Sequence, residues 1–345
     1  MFIIWLKFAL CAIVILYAGS RISKYGDVIS EKSGLSRLWI GAVLLATITS
    51  LPELANSISA VTSVQAPNLA AGDIFGACLI NMFLIGVLDL IYNVKGRGPI
   101  LGNVEIGHIL TAITGIILLA VAAGGIVIEH SHPPVSIFSV GLFTFAIFII
   151  YIIGSRIIFG FEKKRQEEFM EKKVHTIEKH EYKDISTFSA YSRFAMFALL
   201  IVLAGSWLPI IGRQIAELSG WGQTFVGTVF LGFATTLPEL VVSFSALSIG
   251  AIDMAIGNLL GSNVFNILIL FVADVFYSSG SLLSVISIDH IITAVAAIVM
   301  TGVAILGLVY RSEKRNFRHI SWDAYTLIFI FVLTWFLLYR LGMGI

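Results

Sequence analysis

The residues most able to do chemistry in this sequence are two glutamates in matching surroundings. Glu53 and Glu239 each follow a proline in the run Leu-Pro-Glu-Leu, near the middle of a long apolar segment. A carboxylate at mid-membrane depth costs about 3 kcal/mol or more unless it is protonated, ion-paired or bound to a cation. Neither segment has a Lys or Arg near its glutamate. The symmetric placement favours a shared cation site over two protonated glutamates hydrogen-bonded within a helical bundle.

Other oxygen atoms surround each glutamate. The preceding proline removes a backbone N–H and frees carbonyl oxygens about one turn earlier in the helix. Hydroxyl groups stand just before both prolines, at Thr49, Ser50, Thr235 and Thr236. A site made only of oxygen suits Ca²⁺ or Na⁺ and disfavours softer transition metals, and Mg²⁺ fits less well because it sheds water reluctantly.

A second polar segment follows each glutamate. Residues 72–81 and 257–266 combine glycines, which let helices approach closely, with asparagines inside an apolar run. Asn81 and Asn266 occupy matching places, and Ser262 lies one turn before Asn266. Cross-helix hydrogen bonding is the alternative interpretation of these asparagines. Their symmetry favours cation coordination, so these three residues join the predicted site.

These motifs lie in a chain that is too apolar for a soluble protein. Of 345 residues, 58% are hydrophobic and 12% are charged, whereas about a quarter of a soluble domain is charged. We predict an all-α polytopic membrane protein, because the apolar runs are long enough to cross a bilayer and lack the alternation of barrel strands. The ten predicted spans are about 2–19, 36–63, 68–92, 101–127, 134–159, 190–211, 222–249, 253–277, 284–309 and 322–342.

The two halves of the chain repeat each other. Ala18-Gly19-Ser20 matches Ala204-Gly205-Ser206, the glutamate motifs are 186 positions apart, and the asparagine segments are 185 apart. Each half has five predicted spans, so the second must enter the membrane from the opposite side. Such inverted repeats are typical of secondary transporters, whose site lies between the repeats near the midplane. The predicted domains are a first five-helix repeat at 1–160, a charged linker at 161–192 and a second five-helix repeat at 193–345.

The basic residues predict the orientation. Nineteen of the 22 lysines and arginines lie in loops after odd-numbered predicted spans, so those loops and the linker are predicted to be cytoplasmic and both termini outside. We expect an integral protein of the plasma (inner) membrane. We interpret the linker as a solvated connection, with a regulatory role as the alternative. The net charge of +1 gives no support for a nucleic-acid partner, and two cysteines in apolar segments indicate neither a disulfide framework nor a zinc site.

With these motifs the chain resembles the cation/Ca²⁺ exchanger superfamily, which includes Na⁺/Ca²⁺ exchangers. The repeats of that family carry a G-T-S-L-P-E type segment, matched by 49–53 and 235–239, and a G-N-x-x-G-S-N-x-x-N/D segment, matched by 257–266. The resemblance covers nearly the whole chain. It implies exchange of Ca²⁺ against Na⁺ by alternating access, with Glu53 and Glu239 as central Ca²⁺ ligands and no cofactor besides the transported ions.

The resemblance also assigns roles to the surrounding polar residues. It implies that hydroxyl or carbonyl oxygens come from Thr49, Ser50, Thr235 and Thr236, and that Na⁺ positions are lined by Asn81, Ser262 and Asn266. The first repeat departs from the family pattern, because Asp73 replaces the usual Asn and Ala77-Cys78 replaces Ser-Asn. One hydroxyl ligand is then absent and Asp73 becomes a displaced third carboxylate. This leaves H⁺ open as the alternative counter-ion to Na⁺.

Two other functional classes fit less well. A membrane-embedded enzyme would need a nucleophile or a metal–histidine cluster in a cleft, whereas the paired His108 and His290 lie near span ends, far from the glutamates. A channel would need no inverted symmetry. We therefore predict a transporter rather than an enzyme, with Ca²⁺ and monovalent cations as substrates and the lipid bilayer as its surroundings.

Overall fold

The chain folds almost entirely into helices. The computed structural model describes residues 1–33, 45–94, 98–137, 139–172, 185–310 and 321–342. The helices are α1 Phe2–Ser33, α2 Leu45–Thr49, α3 Leu51–Ser59, α4 Pro67–Val94, α5 His108–Ser131, α6 Leu142–Lys172, α7 Thr187–Ser219, α8 Gln223–Val226, α9 Gly232–Thr235, α10 Leu237–Ser248, α11 Ile252–Phe276, α12 His290–Tyr310 and α13 Trp322–Gly342. Turns of π-helix at Ala60–Val64 and Gly227–Leu231 follow α3 and α8, and 3₁₀ turns at Leu101–Asn103 and Leu282–Ser284 precede α5 and α12.

Among the described residues, eight of these helices are long and apolar enough to cross a membrane. Gln223–Thr235 and Leu237–Ser248 together count as a ninth span, bent by 44°. The predicted span 36–63 lies partly outside the described residues, and its described part is a broken helix from α2 to the π turn at Ala60–Val64. The polytopic all-α fold is therefore confirmed, while the count of ten spans stays a prediction.

The fifth span begins later than predicted. Where the sequence predicted a helix from about 134, β1 Ser136–Ile137 and β2 Val140–Gly141 form a short antiparallel ladder, and α6 starts at Leu142. The ladder explains the difference, because its residues pair with each other across the turn, and Ser139 in that turn has a φ of 69°, which a right-handed helix excludes. The predicted linker begins as a continuation of α6, which runs to Lys172, and residues 173–184 lie outside the described part of the chain.

Both glutamate motifs sit at helix breaks. The break residues Ser50 (φ −87°, ψ 12°) and Thr236 (φ −76°, ψ 0°) interrupt the helix, and Pro52 and Pro238 occupy the first turn of the helix that follows. Proline is tolerated there because the first N–H groups of a helix have no partner within the helix. Each glutamate therefore lies in the first turn of α3 or α10, where the helix dipole favours a negative charge.

The first helix of each half packs against the glutamate motif of the other half. A Cβ added to Gly19 of α1 would lie 2.7 Å from the Cβ of Pro238, and one added to Gly205 of α7 would lie 2.9 Å from the carbonyl oxygen of Pro52. These are the glycines of the repeated Ala-Gly-Ser run. The contact therefore occurs twice, once in each direction, and interlocks the two halves.

Helix α4 packs so closely on the π turn at Gly227–Leu231 of the other half that the two backbones are in contact. A Cβ on Gly72 would lie 2.9 Å from the Cα of Gly227, and a Cβ on Gly76 would overlap the backbone of Thr228. Only glycine leaves room for so close an approach, which confirms the predicted role of the first glycine pair. The approach brings Asp73, between these glycines, beside the second glutamate motif.

We expect Gly76→Ala to lower the apparent unfolding temperature of the purified protein, because the added methyl group would force α4 away from Thr228. Overpacking of this kind costs about 1–3 kcal/mol. Gly124→Ala is the matched control, since Gly124 is a helical glycine with nothing within 4 Å of an added Cβ. That control should leave stability unchanged or slightly raised, because alanine favours the helix. Thermal unfolding in detergent measures both variants. Equal decreases in their unfolding temperatures would contradict the close packing.

Candidate cation-binding site

The two glutamates are completely buried and short of hydrogen-bond partners. Among the described residues, no donor reaches either carboxylate oxygen of Glu53 or Oε2 of Glu239. Oε1 of Glu239 accepts a hydrogen bond of 3.2 Å from the hydroxyl of Ser50. An unpartnered buried carboxylate is strongly unfavourable, so these oxygens require a cation or a proton.

The site joins the two halves of the chain. Ser50 in the first half donates to Glu239 in the second, and Oγ1 of Thr49 lies 3.4 Å from Oγ of Ser262 on α11. All four side chains are buried. Two helix breaks and α11 therefore meet at one point.

A third buried carboxylate lies beside the glutamates. Asp73 is close enough to Glu53 and Glu239 for the three charges to repel one another. Its Oδ1 lies 2.8 Å from Oγ1 of Thr235, and its Oδ2 accepts a hydrogen bond of 2.7 Å from the side-chain amide of Asn56. Asp73 is thus held by donors, whereas Glu53 is not.

Asn56 was not predicted as a site residue, although the repeat contains a signal for it. Asn56 lies three residues after Glu53, where the second half has Val242, and Asp73 stands where the second half has Asn258. The amide at Asn258 contacts Oγ of Ser243 at 3.2 Å. In the first half the amide is therefore on α3, at Asn56. Helix α4 carries the carboxylate of Asp73 where the second half has the amide of Asn258.

The predicted asparagines are buried on α4 and α11. The amide of Asn81 donates to Oδ1 of Asn263 at 3.0 Å, and the amide of Asn263 donates to the carbonyl oxygen of Cys78 at 3.2 Å. Oδ1 of Asn81 and both polar side-chain atoms of Asn266 have no partner within the described structure. Asn263 was not predicted as a site residue, and its contacts tie α11 to α4.

The buried Thr236 is hydrogen-bonded to the preceding turn of the chain. Its hydroxyl donates to the carbonyl oxygen of Gly232 in its own helix at 2.6 Å. The hydroxyl of Thr235 contacts Asp73, and Thr235 also lies near Glu53. Ala77, at the position that matches Ser262, has no hydroxyl. The Glu53 side of the site is therefore poorer in hydroxyl donors than the Glu239 side.

A sequence model described as the sodium/calcium exchanger protein matches residues 3–155 and 189–340. The chain belongs to this exchanger family. The family resemblance and the prediction of a membrane transporter rather than an enzyme are thereby confirmed.

Relatives of the exchanger span most of its length. Sodium/calcium exchanger MaX1 of Methanosarcina acetivorans is 28% identical over 348 aligned positions, covering 94% of this chain and 95% of the relative. The uncharacterized membrane protein MJ0091 of Methanocaldococcus jannaschii is 26% identical over 269 residues, 77% of this chain and 80% of the relative.

Solved structures show the same fold. The sodium-calcium exchanger NCX_Mj superposes with a TM-score of 0.60 at 22% identity, covering 96% of this chain and 98% of that chain. The H⁺/Ca²⁺ exchanger CAX superposes with a TM-score of 0.68 at 13% identity, covering 99% of this chain and 86% of that chain.

The atoms without partners in the exchanger's interior are mostly oxygens that can only accept. Within the described chain, the buried acceptor atoms that lack a partner include Glu53 Oε1 and Oε2, Glu239 Oε2, Asn56 Oδ1, Asn81 Oδ1, Asn258 Oδ1 and Asn266 Oδ1. No group of three His, Cys, Asp or Glu side chains in the described residues is arranged to hold a metal ion alone. A bound cation would therefore need neutral oxygens as well as carboxylates, which suits Ca²⁺ and Na⁺.

We expect Glu53→Gln to raise the unfolding temperature of the ion-free exchanger and to abolish its stabilisation by Ca²⁺. The substitution removes an uncompensated buried charge, but it also removes a ligand. A site that binds Ca²⁺ should gain about 2.7 kcal/mol when the ion is present at 100 times its Kd. Unfolding scans of wild type and Glu53→Gln, with and without Ca²⁺, measure both effects.

Glu217→Gln is the control for this comparison. Glu217 is exposed and pairs with Arg213 one turn away. This variant should keep the full Ca²⁺ response. If Glu53→Gln keeps it too, Glu53 is not a ligand.

Proposed function

We propose that the exchanger moves Ca²⁺ in one direction and Na⁺ in the other, by alternating access at a site formed by Glu53 and Glu239. The proposal rests on one observation: a fully buried glutamate comes from each half, and both carboxylate oxygens of Glu53 and Oε2 of Glu239 have no hydrogen-bond partner among the described residues. Oxygens of this kind can replace the hydration shell of a bound cation.

Charge balance supplies the coupling. One Ca²⁺ neutralises the charges of Glu53 and Glu239, and so do two monovalent ions, while a third monovalent ion would balance the carboxylate of Asp73. An empty site would hold two negative charges in a low-dielectric interior, which is costly. The conformational change that turns the empty site towards the other face would retain that cost. The protein therefore changes conformation more readily when loaded, which couples the two fluxes.

We assign the surrounding oxygens to the same site. Ser50, Thr49 and Ser262 complete the Glu239 side, and their hydrogen bonds support this assignment. On the other side we place Asp73, Thr235, Thr236, Asn81 and Asn266. Asp73 orients Thr235 and adds negative charge, while the unpartnered oxygens of Asn81 and Asn266 are available to Na⁺.

The proposed architecture follows from the same symmetry. We retain two inverted five-helix repeats at 1–160 and 193–345, joined by the linker at 161–192, with the linker in the cytoplasm and both termini outside an inner (plasma) membrane. The reciprocal contacts of Gly19 with Pro238 and of Gly205 with Pro52 support this division. The charge distribution supports the orientation.

H⁺ is the second candidate for the counter-ion. The Glu53 side has Ala77 in place of a hydroxyl, and the Thr236 hydroxyl donates to its own helix. Fewer neutral oxygens are then available to replace the hydration shell of Na⁺. Both coupling ions occur among similar proteins, since MaX1 is called a sodium/calcium exchanger and CAX an H⁺/Ca²⁺ exchanger.

Reconstitution into liposomes separates these two functions. We expect an imposed Na⁺ gradient to drive uptake of radiolabelled Ca²⁺, and Glu53→Gln or Glu239→Gln to abolish it while Glu217→Gln does not. Uptake driven only by a pH gradient would establish the alternative. If neither gradient drives uptake, the exchanger function is wrong, and if both glutamine variants remain active, the site is wrong.

Restoring the family pattern should change the counter-ion preference. We expect the double substitution Ala77→Ser, Cys78→Asn to raise Na⁺-driven relative to H⁺-driven Ca²⁺ uptake severalfold, because it adds a hydroxyl at the position that matches Ser262. The ratio of the two initial rates in the same liposomes is the measurement. Cys11→Ser serves as the control, because it also changes a buried cysteine, on α1. An unchanged ratio would show that these positions do not select the counter-ion.

A further inference from the structure

The turn of α3 that follows Glu53 carries two buried polar side chains whose oxygens have no hydrogen-bond partner. Asn56 and Ser57 lie three and four residues after Glu53 in the same helix, so they share its face. Both side chains are completely buried. Within the described structure, Oδ1 of Asn56, Oγ of Ser57 and both carboxylate oxygens of Glu53 lack a partner, so one helical turn presents four open oxygens.

The matching turn in the second half is closed by hydrogen bonds. Ser243 stands 186 positions after Ser57. Its hydroxyl accepts from the side-chain amide of Asn258 on α11 at 3.2 Å and donates to the carbonyl oxygen of Ala255 at 3.4 Å. Oδ1 of Asn258 is open here, but it lies on α11 and not on the helix that carries the glutamate. The two halves therefore differ in the hydroxyl group that follows each glutamate.

The different placement of one amide and one carboxylate accounts for this difference. Asn258 donates to Ser243, but its match in the first half is Asp73, whose carboxylate has no N–H to donate. Asp73 instead accepts from the amide of Asn56 at 2.7 Å, and the hydroxyl of Ser57 stays without a partner. Because the amide nitrogen of Asn56 faces Asp73, its Oδ1 remains open for another partner.

The charges around this turn favour a monovalent cation. Glu53 supplies one negative charge and its two neighbours on α3 supply neutral oxygens, so one monovalent cation would leave this set neutral. Asp73 lies close enough to Glu53 for the two charges to repel each other, and Thr235 lies near both. A cation bound beside Glu53 would reduce that repulsion.

We propose that Glu53, Asn56 and Ser57 form a binding site for one Na⁺ ion, which we call the α3 subsite, in addition to the site that the two glutamates share. The proposal rests on the proposed function, because Na⁺ bound here is a counter-ion for Ca²⁺. The amide oxygen of Asn56 and the hydroxyl of Ser57 supply the neutral oxygens that Ala77 lacks. Asp73 is a positioning residue, since it holds the amide of Asn56 and leaves Ser57 unpaired.

The first test measures Na⁺ binding and needs no transport. Unfolding temperatures of the full chain in detergent are followed as NaCl replaces choline chloride at constant ionic strength, with Ca²⁺ removed by a chelator. We expect Na⁺ to stabilise wild type, because an ion that binds the folded state raises its stability. Ser57→Ala should need about three- to tenfold more Na⁺ for the same stabilisation, since it removes one ligand oxygen. Equal unfolding temperatures of wild type in the two salts would overturn the subsite.

Two variants show whether the loss belongs to the hydroxyl of Ser57. Ser57→Thr keeps a hydroxyl and should keep the Na⁺ response of wild type. Ser243→Ala is the matched control, because the hydroxyl of Ser243 is already hydrogen-bonded to Asn258, so this variant should not change the Na⁺ concentration required. An equal shift in Ser57→Ala and Ser243→Ala would contradict the subsite, as would a wild-type response in Ser57→Ala.

The second half offers a test by gain of binding. The double substitution Val242→Asn, Asn258→Asp gives that half the residues of the first half and should free the hydroxyl of Ser243. We expect the unfolding temperature of this variant to rise more steeply with Na⁺ concentration than that of wild type, because an additional ion would bind. A folded variant with the wild-type Na⁺ dependence would contradict the role given to Asn56 and Asp73. If the variant does not fold, the comparison of Ser57→Ala with Ser243→Ala decides the subsite.

Transport separates failure of the subsite from failure of the proposed function. In liposomes, Ser57→Ala should raise the Na⁺ concentration for half-maximal Ca²⁺ uptake about three- to tenfold and change the KM for Ca²⁺ less. Equal changes in both quantities would indicate a general disturbance and would overturn the assignment. If wild type moves no Ca²⁺ with any gradient, the proposed function has failed, and the Na⁺-dependent unfolding test still decides the subsite.

Discussion

Placing two carboxylates in a low-dielectric interior without a basic partner is the constraint on which the rest of this structure depends. The Leu-Pro-Glu breaks put Glu53 and Glu239 at helix starts, where the helix dipole offsets part of the electrostatic cost. Glycines allow the helices to approach closely enough for Ser50 to reach Glu239 from the other half. The electrostatic cost that remains is the cost that a bound cation would offset.

The two halves meet this constraint with different chemistry. Around Glu239 the neighbours are neutral hydroxyls, whereas near Glu53 there is a third acid, Asp73, held by an amide and a hydroxyl. A duplicated protein can keep its backbone symmetry while its ligands diverge. Under the proposed exchange, matching positions in the two repeats need not prefer the same ion.

The fold class and the glutamates were predictable because their signals are strong: long apolar runs, and a proline and an acid repeated at a fixed offset. The contact of Asn56 with Asp73 was not predicted, because it depends on how far α3 and α4 approach, and no pattern in one sequence reports a distance. The late start of α6 was missed because apolar composition does not report the short ladder between Ser136–Ile137 and Val140–Gly141. His108 and His290 were noticed as a pair, but their partners Asp253 and Asn68 lie on the other half and near helix starts, where polar residues usually only cap.

The hydrogen bond from Ser50 to Glu239 spans 189 positions of the chain, and this has a consequence for biosynthesis. The ribosome delivers Glu53 and Ser50 to the membrane long before Glu239 is made. Until then the first half lies in the lipid with an exposed acid and open glycine faces. Ser50 and Gly205 show what completes it: the polar contacts and the close helix packing between the halves form only after the second half has been inserted.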